Sequence, residues 1–198
     1  GTLCSAAFWL PEEPVMGPEL AHRRTLRLPR QDNGAIKHSR EREGLDASFK
    51  DSRELIKTDN NFGKANVDFK MTNTLCQDFF DSNKNQITIL PGFVASSKSG
   101  DLTTLGRGGS DYTAAIIAAA VDAEILEIWT DVSGMYTANP KLVKQAKCVA
   151  NISYQEAMEL SHFGAKVLYP PTIQLLEKTL KKYFLFNCCF VFLIIVDF

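Results

Sequence analysis

The chain has 198 residues, 45% hydrophobic and 23% charged, which suits a globular protein and excludes collagen-like, mostly disordered and polytopic membrane classes. Its 22 Lys and Arg against 23 Asp and Glu leave a formal net charge of −1, so there is no basic excess to follow a nucleic-acid backbone. Cys4, Cys76, Cys148, Cys188 and Cys189 form neither a CxxC pair nor a zinc spacing with histidine, and read as reduced intracellular thiols with no metal site.

Residues 1–44 carry Pro11, Pro14, Pro18 and Pro29, and neither helical nor strand periodicity is sustained there. The stretch reads as an irregular or disordered leader, with a folded subdomain as the alternative. It has neither the layout of a secretory signal nor the acid-poor composition of a transit peptide. From 45 to 178 the pattern becomes orderly. Val67, Met71, Leu75 and Phe79 recur every four residues beside Thr72, Cys76 and Phe80, predicting an amphipathic helix over 67–80. The segment QITIL, 86–90, predicts a strand stopped by Pro91-Gly92. An Ala-rich run from Ser110 to Ala123 predicts a buried helix with a Ser-Asp N-terminus. ILEIWT, 125–130, predicts another strand, and Ser153 with Glu156 forms a capping box for a helix reaching about His162. This rhythm predicts an α/β domain with a largely parallel sheet. Residues 179–198 form an apolar, Phe-rich tail, uncharged from Phe184 to Val196. A buried strand pair, a short anchor flanked by Lys181-Lys182, and an aberrant C-terminus all fit its composition, which is too short for an ordinary spanning helix.

Three segments can carry chemistry. In Gly106-Arg107-Gly108-Gly109-Ser110-Asp111, closely spaced glycines let backbone N–H groups approach an anion, and the following helix adds a favourable dipole. Arg107 can grip a carboxylate or phosphate with two parallel hydrogen bonds. Asp111 suits an ammonium group or the fixing of a lysine, so the set fits a zwitterion such as an amino acid, or a phosphoryl group in transit. A Gly-rich turn that only caps a helix is the alternative. The dinucleotide fingerprint is absent because its third glycine would fall at Asp111, and there is no Walker A pattern. In WTDVSGMYTANPK, 129–141, Thr130 and Asp131 end a strand, Tyr136 offers a ring and Lys141 a cation; a plain polar loop is the alternative. In FGAKVLYP, 163–170, Lys166 follows a helix-ending glycine and can neutralise a phosphate, or simply lie at the surface.

TTLGRGGSDYTAA, WTDVSGMYTANP and FGAKVLYPPTI, in this order, resemble aspartate kinases of the amino-acid kinase family. DSRELIKTD, 51–59, resembles the family's D-x-R-x-x-I-x-T segment, and Pro91 to Ser96 resembles its Gly-Phe turn. The similarity runs from about 45 to 174, and the style of 51–70 resembles the kinase portion of bifunctional aspartokinase/homoserine dehydrogenases. The resemblance implies a three-layer αβα sandwich with a largely parallel sheet, and phosphorylation of L-aspartate to 4-phospho-L-aspartate for lysine, threonine and methionine synthesis. ATP is then the donor, with Mg2+ carried by the nucleotide. Phe93, Arg107, Gly108, Ser110 and Asp111 match substrate-binding positions. Thr130, Asp131, Tyr136, Lys141 and Lys166 match nucleotide-binding ones, and Asp111 and Lys166 match catalytic ones. A cytoplasmic homo-oligomer is implied, with no nucleic-acid or membrane partner.

The resemblance is partial. The family's N-terminal Lys-x-Gly-Gly segment, and the Thr and Glu of its substrate site, have no counterpart in 1–44, and the Phe-rich tail replaces the strand after PTI. These departures imply a kinase domain incomplete at both ends, with weak ATP binding and little turnover. A non-catalytic nucleotide-binding or assembly module of the same fold is the alternative.

Overall fold

Strand, turn, helix and strand signals follow one another between Ile87 and Thr130, and their folded counterparts frame the molecule. A computed structural model describes residues 5–9, 47–83, 87–123, 125–130, 135–149, 151–163, 169–179, 185–188 and 194–197. The strands are β1 (Ser5–Trp9), β2 (Ala47–Phe49), β3 (Lys57–Thr58), β4 (Ile87–Pro91), β5 (Val94–Ser97), β6 (Leu102–Thr104), β7 (Ile125–Thr130), β8 (Leu185–Cys188) and β9 (Ile194–Asp197). The helices are α1 (Ser52–Leu55), α2 (Phe69–Ser82), α3 (Gly109–Ala120), α4 (Tyr154–His162) and α5 (Pro170–Thr179).

The larger sheet has the order β2-β4-β1-β9-β7-β8, and a smaller one the order β3-β5-β6. The large sheet is parallel at β2–β4, β4–β1 and β7–β8 and antiparallel where β9 separates β1 from β7. Helix α3 lies against β7 and β9 and is flanked by α2 and α5, while α4 packs on α5. This is an α/β fold, as the alternating pattern predicts.

Ala114, Ala115, Ile116, Ile117 and Ala118 are all fully buried, which explains why α3 is apolar on most sides. Its alanines let neighbouring elements approach closely, and Ile116 and Ile117 each contribute about 1.5–3 kcal/mol on burial. Gln77 ties α2 to the end of α3 by donating to the Ala120 carbonyl at 2.8 Å.

Several expectations are corrected. The predicted Ser-Asp N-cap of α3 does not form. Gly108 is the N-cap, with φ of 67° and no side-chain cap bond, and Ser110 lies buried inside the first turn. In α2 the cap is Asp68, whose carboxylate accepts the Met71 N–H at 3.2 Å, so the helix starts at Phe69. Its buried stripe is Thr72–Cys76 while Met71 stays 41% exposed, because the Thr72 hydroxyl is drawn inward to accept the Lys57 N–H at 3.1 Å.

No strand is predicted within 1–44, yet Ser5–Trp9 (SAAFW) forms β1, paired in parallel register with Ile87 to Pro91. Sheet pairing supplies what local periodicity lacks; the rest of that leader lies outside the described residues. In the tail, β8 and β9 do not pair with each other but flank β7 on opposite sides. The capping box forms as predicted: Ser153 Oγ accepts the Glu156 N–H at 3.2 Å, and Glu156 accepts the Ser153 N–H at 2.9 Å. Among the described residues no helix is long and apolar enough to cross a membrane.

Candidate active site

Two tight turns meet at the head of α3. The first joins β4 to β5. Its Phe93 has φ of 73°, and the Val94 N–H donates to the Gly92 carbonyl at 2.9 Å. A one-residue turn closed this way with positive φ is the uncommon, strained form of the γ-turn. Phe93 itself is held on both polar groups. Its carbonyl accepts the Leu105 N–H at 3.0 Å, and its own N–H donates to Thr113 Oγ1 at 3.0 Å. Just upstream, the Ser52 hydroxyl of α1 donates to the Pro91 carbonyl.

The second turn is Gly106 to Gly109, closed by the Gly109 N–H donating to the Gly106 carbonyl at 3.0 Å. Gly106 and Gly108 both have positive φ, which costs a residue without Cβ little. Space is the second constraint. A Cβ at Gly108 would lie 2.6 Å from Tyr169 Cβ, and one at Gly109 would lie 2.8 Å from Phe93 Cδ2. Arg107 is left exposed at the tip of the turn, while Asp111 is half-buried in the first turn of α3. Tyr112 and Tyr169 meet edge to face with ring centroids 6.0 Å apart, and burial, with Tyr169 nearby, pushes the Tyr112 phenol up.

The predicted substrate group is thus one structural unit: Phe93 packs on the glycine turn that carries Arg107 and Gly108 and leads into Ser110 and Asp111. Tyr169 connects this unit to the third motif, but Lys166 lies outside the described residues. Asp131 does too, and Thr130 is placed only as the last residue of β7. Tyr136 and Lys141 sit on a separate hairpin, in which the Thr137 N–H donates to the Lys147 carbonyl at 2.9 Å and the Val149 N–H to the Met135 carbonyl at 2.8 Å. Half-buried Tyr136 bridges Cys148, and exposed Lys141 is near the tip, its N–H donating to Asn139 Oδ1 at 2.9 Å.

Two surface depressions lie elsewhere. One, of about 420 Å³, is lined by residues including Thr137, Ile152, Glu156, Leu160 and Phe163. The other, of about 440 Å³, is lined by Thr58, Asp59, Asn66, Asp68 and Lys98 among others. Hydrogen bonds from Asn66 and Asn61 hold the Asp59 carboxyl below its usual range, and Lys98, 2.8 Å from Asp68, does the same there. Neither depression contains a predicted site residue.

The amino acid kinase family model matches residues 36–187, most of the chain and both turns. The chain belongs to the amino acid kinase family. Within that family it is 45% identical over 122 residues to a bifunctional aspartokinase/homoserine dehydrogenase of Buchnera aphidicola, covering 62% of this chain and 15% of that protein. It is 43% identical over 135 residues to lysine-sensitive aspartokinase 3 of Escherichia coli, covering 68% of this chain and 30% of that one. The chain therefore spans less than a third of the length of either relative. Escherichia coli aspartokinase III, crystallised in complex with aspartate and ADP, superposes with a TM-score of 0.65 at 40% identity, over 69% of this chain and 31% of that one.

Sequence reasoning missed Thr113 and Tyr169. Thr113 carried a signal, a polar residue inside an otherwise apolar Ala-rich helix; Tyr169 packing over Gly108 carried none.

Proposed function

We propose that the chain carries the substrate-binding turn of an aspartate kinase, which transfers the γ-phosphoryl group of ATP to the side-chain carboxylate of L-aspartate. The observation that carries this reading is the junction of the Phe93 turn with Gly106 to Asp111 at the head of α3. Its likeness to aspartokinases, one of them crystallised with aspartate and ADP, supports the choice of substrate.

The exposed Arg107 guanidinium binds a carboxylate of aspartate through paired hydrogen bonds. Phe93, Gly108 and Ser110 line the same site, and the N-terminus of α3 favours negative charge there. Thr130, Asp131, Tyr136 and Lys141 hold the nucleotide, and Lys166 meets its phosphates. Arg107, the backbone N–H groups and Ser110 are an anion-binding set, so Mg2+ belongs with the nucleotide phosphates, whose charge it neutralises.

In the transfer, a side-chain carboxylate oxygen of aspartate bonds to the γ-phosphorus. The bond from that phosphorus to the β,γ-bridging oxygen breaks, and its electron pair leaves with ADP. The other product is 4-phospho-L-aspartate. No protein nucleophile is required; the chain's residues position the carboxylate and offset charge, with Lys166 on the transferring group and Asp111 orienting the cations around it. The same reading places the chain in the cytoplasm as part of a homo-oligomeric enzyme without nucleic-acid or membrane partners.

The test is calorimetric titration of the chain with L-aspartate and with ATP, beside an assay of aspartate-dependent ADP release. Binding of both ligands supports the reading. Nucleotide binding without any aspartate binding moves the chain to the class of nucleotide-binding modules.

A further inference from the structure

We propose that Thr113 is a positioning residue, whose buried hydroxyl holds the strained turn at Phe93 against the first turn of α3; its bearing on substrate rests on the reading given above. A phenylalanine with φ of 73° persists only where its surroundings over-determine it. Three hydrogen bonds do so here: Val94 N–H to Gly92 carbonyl at 2.9 Å, Leu105 N–H to Phe93 carbonyl at 3.0 Å, and Phe93 N–H to Thr113 Oγ1 at 3.0 Å. The first two join backbone to backbone. Only the third depends on a side chain.

Thr113 commits its own proton elsewhere, donating to the Gly109 carbonyl at 2.7 Å. Its oxygen is therefore oriented as an acceptor for Phe93, and one hydroxyl ties together both turns of the site. The residue is 0% exposed, so it acts through Phe93 and Gly109 rather than on a ligand. Valine has nearly the same shape but would leave the Phe93 N–H without its partner in a half-buried place. The turn would then relax toward negative φ and carry the Phe93 ring away from Gly109, where a Cβ would find Phe93 Cδ2 only 2.8 Å away.

The experiment compares the 198-residue chain with T113V, T113A and T113S. Amide hydrogen exchange is read at Phe93 by NMR, and L-aspartate and ADP are titrated calorimetrically. T113S is expected to keep Phe93 protection and aspartate affinity. T113V and T113A are expected to lose protection at Phe93 ahead of the rest of the core, and to bind aspartate roughly tenfold more weakly at unchanged ADP affinity. T113A also serves if T113V fails to fold. Undiminished Phe93 protection in T113V and T113A overturns the proposal, as does a parallel loss of ADP affinity and of protection throughout the chain. A parent chain that takes up ADP but no aspartate overturns the substrate reading instead, and Phe93 exchange still decides whether Thr113 holds the turn.

Discussion

Gly108 sits directly beneath Tyr169: a Cβ on the glycine would stand 2.6 Å from Tyr169 Cβ and 3.0 Å from its Cγ. With φ of 67° the position is also costly for any residue that has a Cβ. G108A is expected to destabilise the fold by roughly 2–4 kcal/mol, combining conformational cost with overpacking. Denaturant melts of the parent and G108A measure it. Truncation of the ring in G108A/Y169A should not restore stability, because the nearest clash is with Tyr169 Cβ itself; full recovery would contradict this geometry.

Asp51 caps α1 and pairs with Arg53. Its carboxylate accepts the Arg53 N–H at 3.0 Å and Arg53 Nε–H at 2.9 Å. Burial works to raise the Asp51 carboxyl, but hydrogen bonds and charge from Arg53, helped by Lys50, hold it below its ordinary value of 3.8. A carboxyl lowered on folding contributes stability above its unfolded value, and that contribution is lost as pH falls through the folded one. The parent should therefore lose more stability than D51N on acidification from about pH 5 to about pH 2. At neutral pH, D51N should be less stable by about 1 kcal/mol, a modest figure because solvent screens the pair. Equal acid limbs in the two proteins would remove Asp51 from this role.

Cys76 is fully buried on α2, and burial pushes its thiol up to about 12, whereas Cys148 is exposed. The thiolate is the reactive form, so an alkylating reagent at mildly alkaline pH should label Cys148 in the native chain and leave Cys76 untouched until denaturant is added. Peptide mapping by mass spectrometry after a short pulse distinguishes them. Labelling of both at one rate would mean that the α2–α3 core opens freely.

Lys141 is exposed near the hairpin tip, and in the proposed reading it serves the nucleotide alone. K141A is expected to weaken ATP binding several-fold, in line with a single solvent-screened cation–phosphate contact, and to leave aspartate affinity unchanged. Calorimetry with each ligand separates the two effects, and a loss confined to aspartate would exchange the hairpin's role.

The parts of this molecule legible in its sequence are those that local chemistry decides. The capping box at Ser153 and Glu156, the apolar run of β7 and the Ala-rich helix α3 were each readable within a dozen residues. The glycine turn was legible as a tight turn leading into a helix, although its cap falls to Gly108 rather than Ser110, because positive φ and the nearness of Tyr169 together require glycine there. Long-range pairing was not legible. SAAFW has no alternation that marks a strand, and it becomes β1 only because β4 and β9 offer partners on both sides. Thr113 stood out as a polar residue in an apolar helix, but its link to Phe93 was not legible, since the two are twenty positions apart and the positive φ of that turn appears only in the folded chain.

The central claim, that the turn at the head of α3 receives L-aspartate through Arg107, is tested most directly by titrating L-aspartate into the parent, R107A and R107K in the calorimeter, with ATP as the control ligand. R107A is expected to lose aspartate binding by at least about tenfold, and R107K to recover only part of it, because lysine keeps the charge without the two-pronged geometry. ATP affinity should be the same in all three. Equal aspartate affinity in R107A and the parent would contradict the account and remove Arg107, and with it the glycine turn, from the substrate site.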